Sequence, residues 1–342
     1  MDAKTQALFR KKLLSWFSQN ARVLPWRETP SLYKTVVSEF MLQQTQVKTV
    51  VPYFQRWIAH FPDFETLAEG DHRDVIKLWE GLGYYSRAKN LQLFAQNFIK
   101  NPAKNFKDLL KFNGVGAYTA AAIASIAFHE NVAVVDGNVI RVLARIFNRQ
   151  SVFHSKDHAV KHITPLANDL IDAQHPGAFN EAIMELGALI CTKINPKCEG
   201  CPLQDLCEAF HQGTVEECPK FVPVERKKCV KKRLWLIKDG GLFLEPSRIG
   251  NNALWELPEL TPEREAVCIL DKLLFTGKRS IGITTFTEKI YAGSISNKGQ
   301  TQLKQCTCFP LNSVHKLPLS GPHKRWIQTI LKDPIPRKIL QP

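Results

Sequence analysis

Four cysteines fall on one short segment: Cys191, Cys198, Cys201 and Cys207, spaced C-x6-C-x2-C-x5-C, with Pro196 and Pro202 bending the chain between them. Four thiolates on so tight a loop can enclose a tetrahedral zinc ion or a cubane iron–sulfur cluster. Structural zinc sites more often use two C-x2-4-C pairs, and one such pair stands here. Spacing alone leaves both metals open, with a chance gathering of thiols as the plain alternative. Cys218, Cys229, Cys268, Cys306 and Cys308 follow no comparable pattern and read as ordinary thiols.

A second constellation lies upstream, where residues 110–121 read LKFNGVGAYTAA. Gly114 and Gly116 flank Val115 and precede a small-residue helix, so a backbone turn can approach another chain closely. In a helix-hairpin-helix, the amides of such a turn and of the following helix grip a DNA phosphate. Twenty residues after Gly116 comes VDGNV, whose Asp136 opens another helical run. Taken alone, Asp136 reads as a helix N-cap.

These residues must be held by ordered elements, and the pattern of the chain supplies them. Leu8, Phe9, Leu13, Trp16 and Phe17 recur at helical spacing, as do Val36, Val37, Phe40, Met41 and Val47. Further helical runs cover residues 91–99, 119–128, 139–147, 159–171 and 179–191, separated by breakers such as Phe61-Pro62, Asn101-Pro102 and His175-Pro176. Many helices on short connections predict an all-α domain. Between Lys220 and Arg233 seven basic residues face one acidic residue, which suits a linker lying along phosphates. Beyond it, residues 234–237, 242–244 and 282–290 read as short strands. The 342-residue chain carries 46 Lys and Arg against 32 Asp and Glu, a net charge of +14 that favours a polyanion as partner. No apolar run approaches the ~20 residues of a membrane span. The amphipathic first residues lack the apolar centre of a signal peptide, so a cytoplasmic protein with reduced cysteines is expected.

The Gly-Val-Gly hairpin, the VDGNV segment and the cysteine spacing jointly resemble the endonuclease III superfamily of DNA glycosylases, over about residues 6–210. Residues 38–47 (SEFMLQQTQV), Pro25-Trp26-Arg27, residues 81–87 (GLGYYSR) and Phe179-Asn180-Glu181 are similar to its MutY-type adenine glycosylases. The resemblance implies a helical fold of two subdomains around a DNA-binding cleft, and a [4Fe-4S] cluster on the four cysteines. It implies an enzyme that releases adenine opposite 8-oxoguanine or guanine in duplex DNA. Glu39, on a largely apolar helix where burial would raise its pKa, is implied to protonate adenine N7 and later handle the attacking water. Asp136 is implied to stabilise the oxocarbenium sugar, a contribution of about 3 kcal/mol, with support from Asn138 and Tyr118. Bifunctional members carry a lysine nucleophile where Tyr118 stands; Lys111 lies upstream of the turn and does not match, so a monofunctional enzyme is expected. Extruding the base costs a few kcal/mol; Gln44 and Tyr84 are the implied wedges. Arg27, Leu42 and Glu181 are the implied adenine pocket, Thr45 a further DNA contact, and Gly114 and Gly116 the phosphate grip. A monomer is expected, since the DNA supplies the asymmetric partner.

Residues 254–258 (LWELP) resemble a stretch of the nudix-related C-terminal domain of MutY proteins, but the run of metal-binding glutamates of a working nudix site is missing. Recognition of 8-oxoguanine, not hydrolysis, is the implied role. Where bacterial members commonly carry Phe-Ser-His, this chain reads Thr285-Phe286-Thr287-Glu288. A glutamate cannot donate as histidine does, and it would repel nearby phosphates, so a weaker or differently built preference for 8-oxoguanine over guanine is expected. The expected architecture is therefore mainly α: a helical glycosylase domain over residues 1–215, a basic linker over 216–232, and a smaller α+β nudix-like domain over 233–342. Two rivals differ in kind: an endonuclease III-like lyase, opposed by Tyr118, and a non-catalytic DNA-binding protein. A nucleotide hydrolase lacks support, because Gly277-Lys278-Arg279-Ser280 lacks the upstream glycine of a phosphate-binding loop.

Overall fold

The computed structural model describes residues 1–247, 254–295 and 303–332. The chain divides into two compact units, Met1–Leu78 with Arg87–Pro223, and Trp79–Ser86 with Val224–Pro342. In chain order the first part comprises α1 (Ala3–Asn20), α2 (Pro25–Glu28), α3 (Leu32–Leu42), α4 (Val47–His60), α5 (Phe64–Glu69), α6 (His72–Trp79), α7 (Ser86–Lys100), α8 (Phe106–Leu109) and α9 (Ala117–Ala127). There follow α10 (Gly137–Ile146), a short strand β1 (Val152–Phe153), α11 (Lys156–Leu170), α12 (Pro176–Leu189) and α13 (Glu208–His211).

Helix starts are set by side chains that accept first-turn amides: Asp2 for α1, Ser31 for α3, Asp63 for α5, Asn105 for α8, Asp136 for α10 and Ser155 for α11. The apolar faces then meet. Phe9 and Leu13 of α1, Val139, Ile140 and Leu143 of α10, Ile163 of α11 and Phe179, Ile183 and Leu186 of α12 form one core. Each such large side chain contributes about 1.5–3 kcal/mol by leaving water. On α3, Val36, Val37, Phe40 and Met41 are fully buried, which fixes the face that carries Glu39.

The segment expected to be a linker is mostly structured. Strand β2 (Lys220–Phe221) pairs in parallel with β1, tying the chain back onto the helical unit. Strand β3 (Lys227–Lys238) starts well inside the supposed linker, so its Lys227, Lys228, Lys231 and Lys232 are strand residues. Lys231 pairs with Glu259 and Lys232 with Glu265, each at 2.8 Å, and Arg233 is buried. Part of the charge of the proposed phosphate-tracking stripe is thereby neutralised within its own unit.

The second unit is a sheet of β3, β4 (Gly241–Pro246), β5 (Trp255–Glu256), β6 (Cys268–Ile281), β7 (Thr284–Ile295) and β8 (Thr307–Pro310), with α14 (Pro262–Glu265) and α15 (Gly321–Lys332). The order is β5-β4-β3-β7-β6, with β8 also pairing β4. β3 and β7 run parallel and β6 and β7 form a long antiparallel pair. Trp326, Ile327 and Ile330 of α15 pack with Trp235, Leu242, Leu244 and Ile290 of the sheet.

Glu288 requires a correction. On β7 it shares a face with Ile290 and Ala292, and all three are fully buried. It meets Arg233 Nε at 2.6 Å and also pairs with Arg279. Arg233 further meets Glu256 at 3.1 Å and Glu245 at 3.5 Å, Arg264 meets Glu245 at 2.8 Å, and Arg279 meets Glu256 at 2.8 Å. The His323 ring accepts the Leu257 amide at Nδ1 and aims Nε2 between Glu256 and Glu288, 3.6 Å from each. Glu288 thus belongs to an internal ion cluster, not to a phosphate-facing surface.

Candidate active site and cysteine pocket

A cleft of about 830 Å³ in the helical unit is lined by Glu39, Leu42 and Thr45 from α3 and its exit, Arg27 from α2, Tyr118 from α9, Asp136 and Asn138 at the head of α10, and Glu181 from α12. Eight of the residues singled out from sequence therefore share one wall.

Glu39 is 6% exposed. Burial is the main reason its carboxyl is pushed up to about 7; a hydrogen bond with Tyr118 opposes this, Glu181 and Asp136 reinforce it, and Arg27 opposes it. Its Oε2 has no hydrogen-bond partner among the described residues. The Tyr118 hydroxyl also points at Met184 Sδ, 3.4 Å away, and burial raises this phenol well above its ordinary range. A carboxyl raised to about 7 retains its proton over part of the neutral range, which is what a general acid toward a group entering the cleft requires.

Asp136 caps α10. Its Oδ1 accepts from the amides of Asn138 and Val139, and its Oδ2 from Asn138 Nδ2, all at 2.8 Å. The strand-like segment leading to it is stitched by buried Asn180, which accepts from Val134 N and donates to Val132 O and Ser125 Oγ. A Cβ at Gly187 would lie 2.6 Å from Asn138 Cβ, so only glycine lets α12 come this close.

The end of α3 is held by Arg87, whose guanidinium donates to the carbonyls of Phe40, Met41 and Gln43 and to Thr45 Oγ1. Gln43 in turn donates to Gly114 O and Thr119 Oγ1, joining the Glu39 helix to the hairpin. Gln44 follows, exposed and in the left-handed region at φ 56°. Gly114 takes φ 81°, and Gly116 stands as the N-cap of α9 with no side chain to accept, which leaves the first-turn amides to an outside acceptor. Gln44, Gly114 and Gly116 lie outside the cleft lining. Tyr84 falls in the segment that groups with the second unit and is 58% exposed at φ 48°. Lys111 pairs with Asp108 on the surface.

Arg22 and Glu185 were not foreseen, nor were Arg141 and Arg145. Arg27 Nε meets Glu181 at 2.6 Å and lies over the Phe17 ring. Glu185 takes a bidentate hold on Arg22 at 2.7 and 2.8 Å. The only sequence signal was the i,i+4 placement of Glu181 and Glu185 on one helix face.

Cys191, Cys198, Cys201 and Cys207 line a single pocket with Val142, Ile146, Leu186, Ile190, Phe210 and Val215, beside Arg145. Arg145 Nη1 lies 3.3 Å from Cys191 Sγ and also donates to Thr192 O, while Nε donates to Val215 O and Cys218 O. Among the described residues no three His, Cys, Asp or Glu side chains converge closely enough to hold a single metal ion. Four sulfurs in an apolar shell with one buried cation suit a soft metal centre. Arg141 connects this pocket to the cleft: Nε donates to Cys191 O at 2.6 Å, and Nη2 to Gly187 O at 2.6 Å and Asn138 Oδ1 at 2.9 Å.

Residues 37–167 match the HhH-GPD superfamily of base excision DNA repair proteins, and residues 191–207 the iron–sulfur binding domain of endonuclease III. Adenine DNA glycosylase of Rattus norvegicus is 43% identical over 242 residues, 66% of this chain and 46% of that protein. Its counterpart in Arabidopsis thaliana is 39% identical over 312 residues, 78% of this chain and 49% of that protein. That of Buchnera aphidicola subsp. Schizaphis graminum is 35% identical over 241 residues, 67% of each chain. The chain thus spans about half the length of the rat and Arabidopsis relatives. Among solved structures, a thermostable thymine-DNA glycosylase superposes with TM-score 0.55 at 28% identity, covering 61% of this chain and 98% of its own. An endonuclease III bound non-covalently to DNA gives 0.51 at 20% identity, with 62% and 99% coverage, a likeness of fold. No helix among the described residues is long and apolar enough to cross a membrane.

Proposed function

We propose that this chain, which belongs to the MutY-type adenine DNA glycosylase family of the HhH-GPD superfamily, hydrolyses the N-glycosidic bond of adenine mispaired with 8-oxoguanine or guanine in duplex DNA. The observation that carries the reading is the buried Glu39, pushed up to about 7, in one cleft with the amide-capped Asp136. Adenine flipped into the cleft receives the Glu39 proton at N7, which makes it a neutral leaving group as the C1′–N9 bond breaks. The Asp136 carboxylate faces the positive sugar. Water then adds to C1′ and returns its proton to Glu39. Tyr118 and Asn138 orient these two carboxyls, and Arg27, Leu42 and Glu181 line the base pocket. Gln44 and Tyr84 fill the gap left in the duplex, Thr45 contacts the DNA, and the Gly114–Gly116 turn holds a phosphate.

The enzyme is monofunctional, because Tyr118 offers no amine for a Schiff base. Cys191, Cys198, Cys201 and Cys207 hold a [4Fe-4S] cluster, supported by the pocket they ring and the matched iron–sulfur domain. When bound, the cluster would supply thiolate bonds that fix the loop following α12. The second unit reads the opposite base, and Glu288, fully buried among arginines, does not present its carboxylate to a phosphate.

Duplexes carrying A opposite 8-oxoguanine, guanine or thymine test the reading under single turnover. Adenine should leave the first two, and borohydride should trap no covalent adduct. Release from none of them, or efficient trapping, would overturn it.

A further inference from the structure

The cleft contains more charge than the proposed chemistry consumes. Glu185 on α12 is 2% exposed and accepts four hydrogen bonds: from Arg22 N at 3.0 Å, Arg22 Nε at 2.7 Å, Arg22 Nη2 at 2.8 Å and Arg27 Nη2 at 3.4 Å. Arg27 Nη1 also reaches Arg22 O at 3.3 Å. One buried carboxylate therefore anchors Arg22 of the loop between α1 and α2 and Arg27 of α2, the two arginines that reach the cleft from this side. Burial alone would raise the Glu185 carboxyl, yet the Arg22 hydrogen bonds bring it below its ordinary value, and they raise Arg22 in turn. The pair is a standing ion pair, not a proton donor.

We infer that Glu185 is a positioning residue for adenine release: with Arg22 it pins Arg27 against Glu181 and sets the charge balance that Glu39 experiences. This rests on the function proposed above. The groups facing Glu39 are Tyr118 from α9, Glu181 from α12, Asp136 at the head of α10 and Arg27 from α2. Arg22, Lys48 and Glu185 line the same cleft. Removing the Glu185 charge leaves Arg22 and Arg27 under-compensated and favours ionised Glu39; removing Arg22 leaves Glu185 in excess and favours neutral Glu39.

The test is single-turnover adenine release from an A:8-oxoguanine duplex against pH, with enzyme in saturating excess so that weakened binding does not enter. In the wild type the rate should fall as pH rises through Glu39's titration. Glu185→Gln should move that midpoint down by about one pH unit and Arg22→Gln should move it up. The double variant should return it near the wild-type position, and Glu185→Asp should keep the midpoint while lowering the rate. A purely structural loosening would lower the rate at every pH and move nothing. If Glu185→Gln fails to fold, the upward shift in Arg22→Gln decides. Single variants that keep the midpoint, or shift it in the same direction, overturn the inference and leave the function standing. Wild-type protein that releases no adenine overturns the function, and the pH dependence of unfolding in the same variants then decides the charge balance.

Discussion

In the helical unit, Glu39 lies buried against one phenol, two carboxylates and one arginine, and is pushed up to about 7. In the second unit Glu256 and Glu288 are buried as deeply, and burial pushes them up as well, yet Arg279, Arg233 and His323 bring both down to about 2. Depth does not decide the protonation state; the balance of counter-charges does. Three buried glutamates meet three arginines in the second unit, so each carboxylate of that cluster is matched. In the cleft the arginines pair with Glu181 and Glu185, and burial with little compensation holds Glu39 up at about 7. The matched arrangement serves stability; the unmatched one gives Glu39 the raised value on which the proposed proton donation rests.

The sharpest way to break the contrast is to unmatch the ion cluster. Arg233→Met leaves Glu256 and Glu288 short of a partner and should cost about 3–5 kcal/mol, read from the urea transition of the second unit. The same cluster predicts an acid limb. Folded-state values depressed to about 2 mean that stability present above the ordinary glutamate value is lost as pH falls towards 2. Glu39 predicts the opposite sign. Its raised value means that stability is full below the ordinary value and is lost as pH rises from there through about 7. Glu39→Gln should therefore be more stable than wild type at pH 8 by up to about 3 kcal/mol, with little difference at pH 4, as thermal unfolding at the two pH values would show. A smaller effect belongs to Asp136→Asn. The amide can still accept the Asn138 and Val139 N–H groups, so stability should drop by about 1 kcal/mol while the release rate falls roughly 100-fold. Least affected is Lys231→Ala, which removes a half-exposed pair with Glu259 and should change stability by less than about 1 kcal/mol.

The sequence disclosed the parts of this contrast that are local. Glu39 stands in an unbroken motif on an apolar helix, Asp136 opens a helix, and the cysteines lie within one loop, so local motifs singled them out while the family resemblance supplied their roles. The partners that set their chemistry are distant in sequence: Glu185 is 163 residues from Arg22, and Arg233 is 55 from Glu288. No periodicity links such pairs. Glu288 was misread as facing phosphates because it was compared with the family's histidine at that place, although its alternation with Ile290 and Ala292 puts it on a buried face. Strand β6 went unnoticed for the converse reason. It is an edge strand whose Asp271, Lys272 and Lys278 are exposed, and charge on an edge protects against pairing while masking the β pattern. The basic run at residues 227–233 looked like a linker because its lysines alternate with few apolar residues, yet β7 pairs with it along its length.

The central claim is that buried Glu39 is the proton donor for adenine release, and one pH series tests it. Single-turnover release from an A:8-oxoguanine duplex, measured from pH 5 to 9, should decline as pH rises through about 7 and should be absent at every pH in Glu39→Gln. A rate that stays flat across the series, or that survives the substitution, would contradict the account.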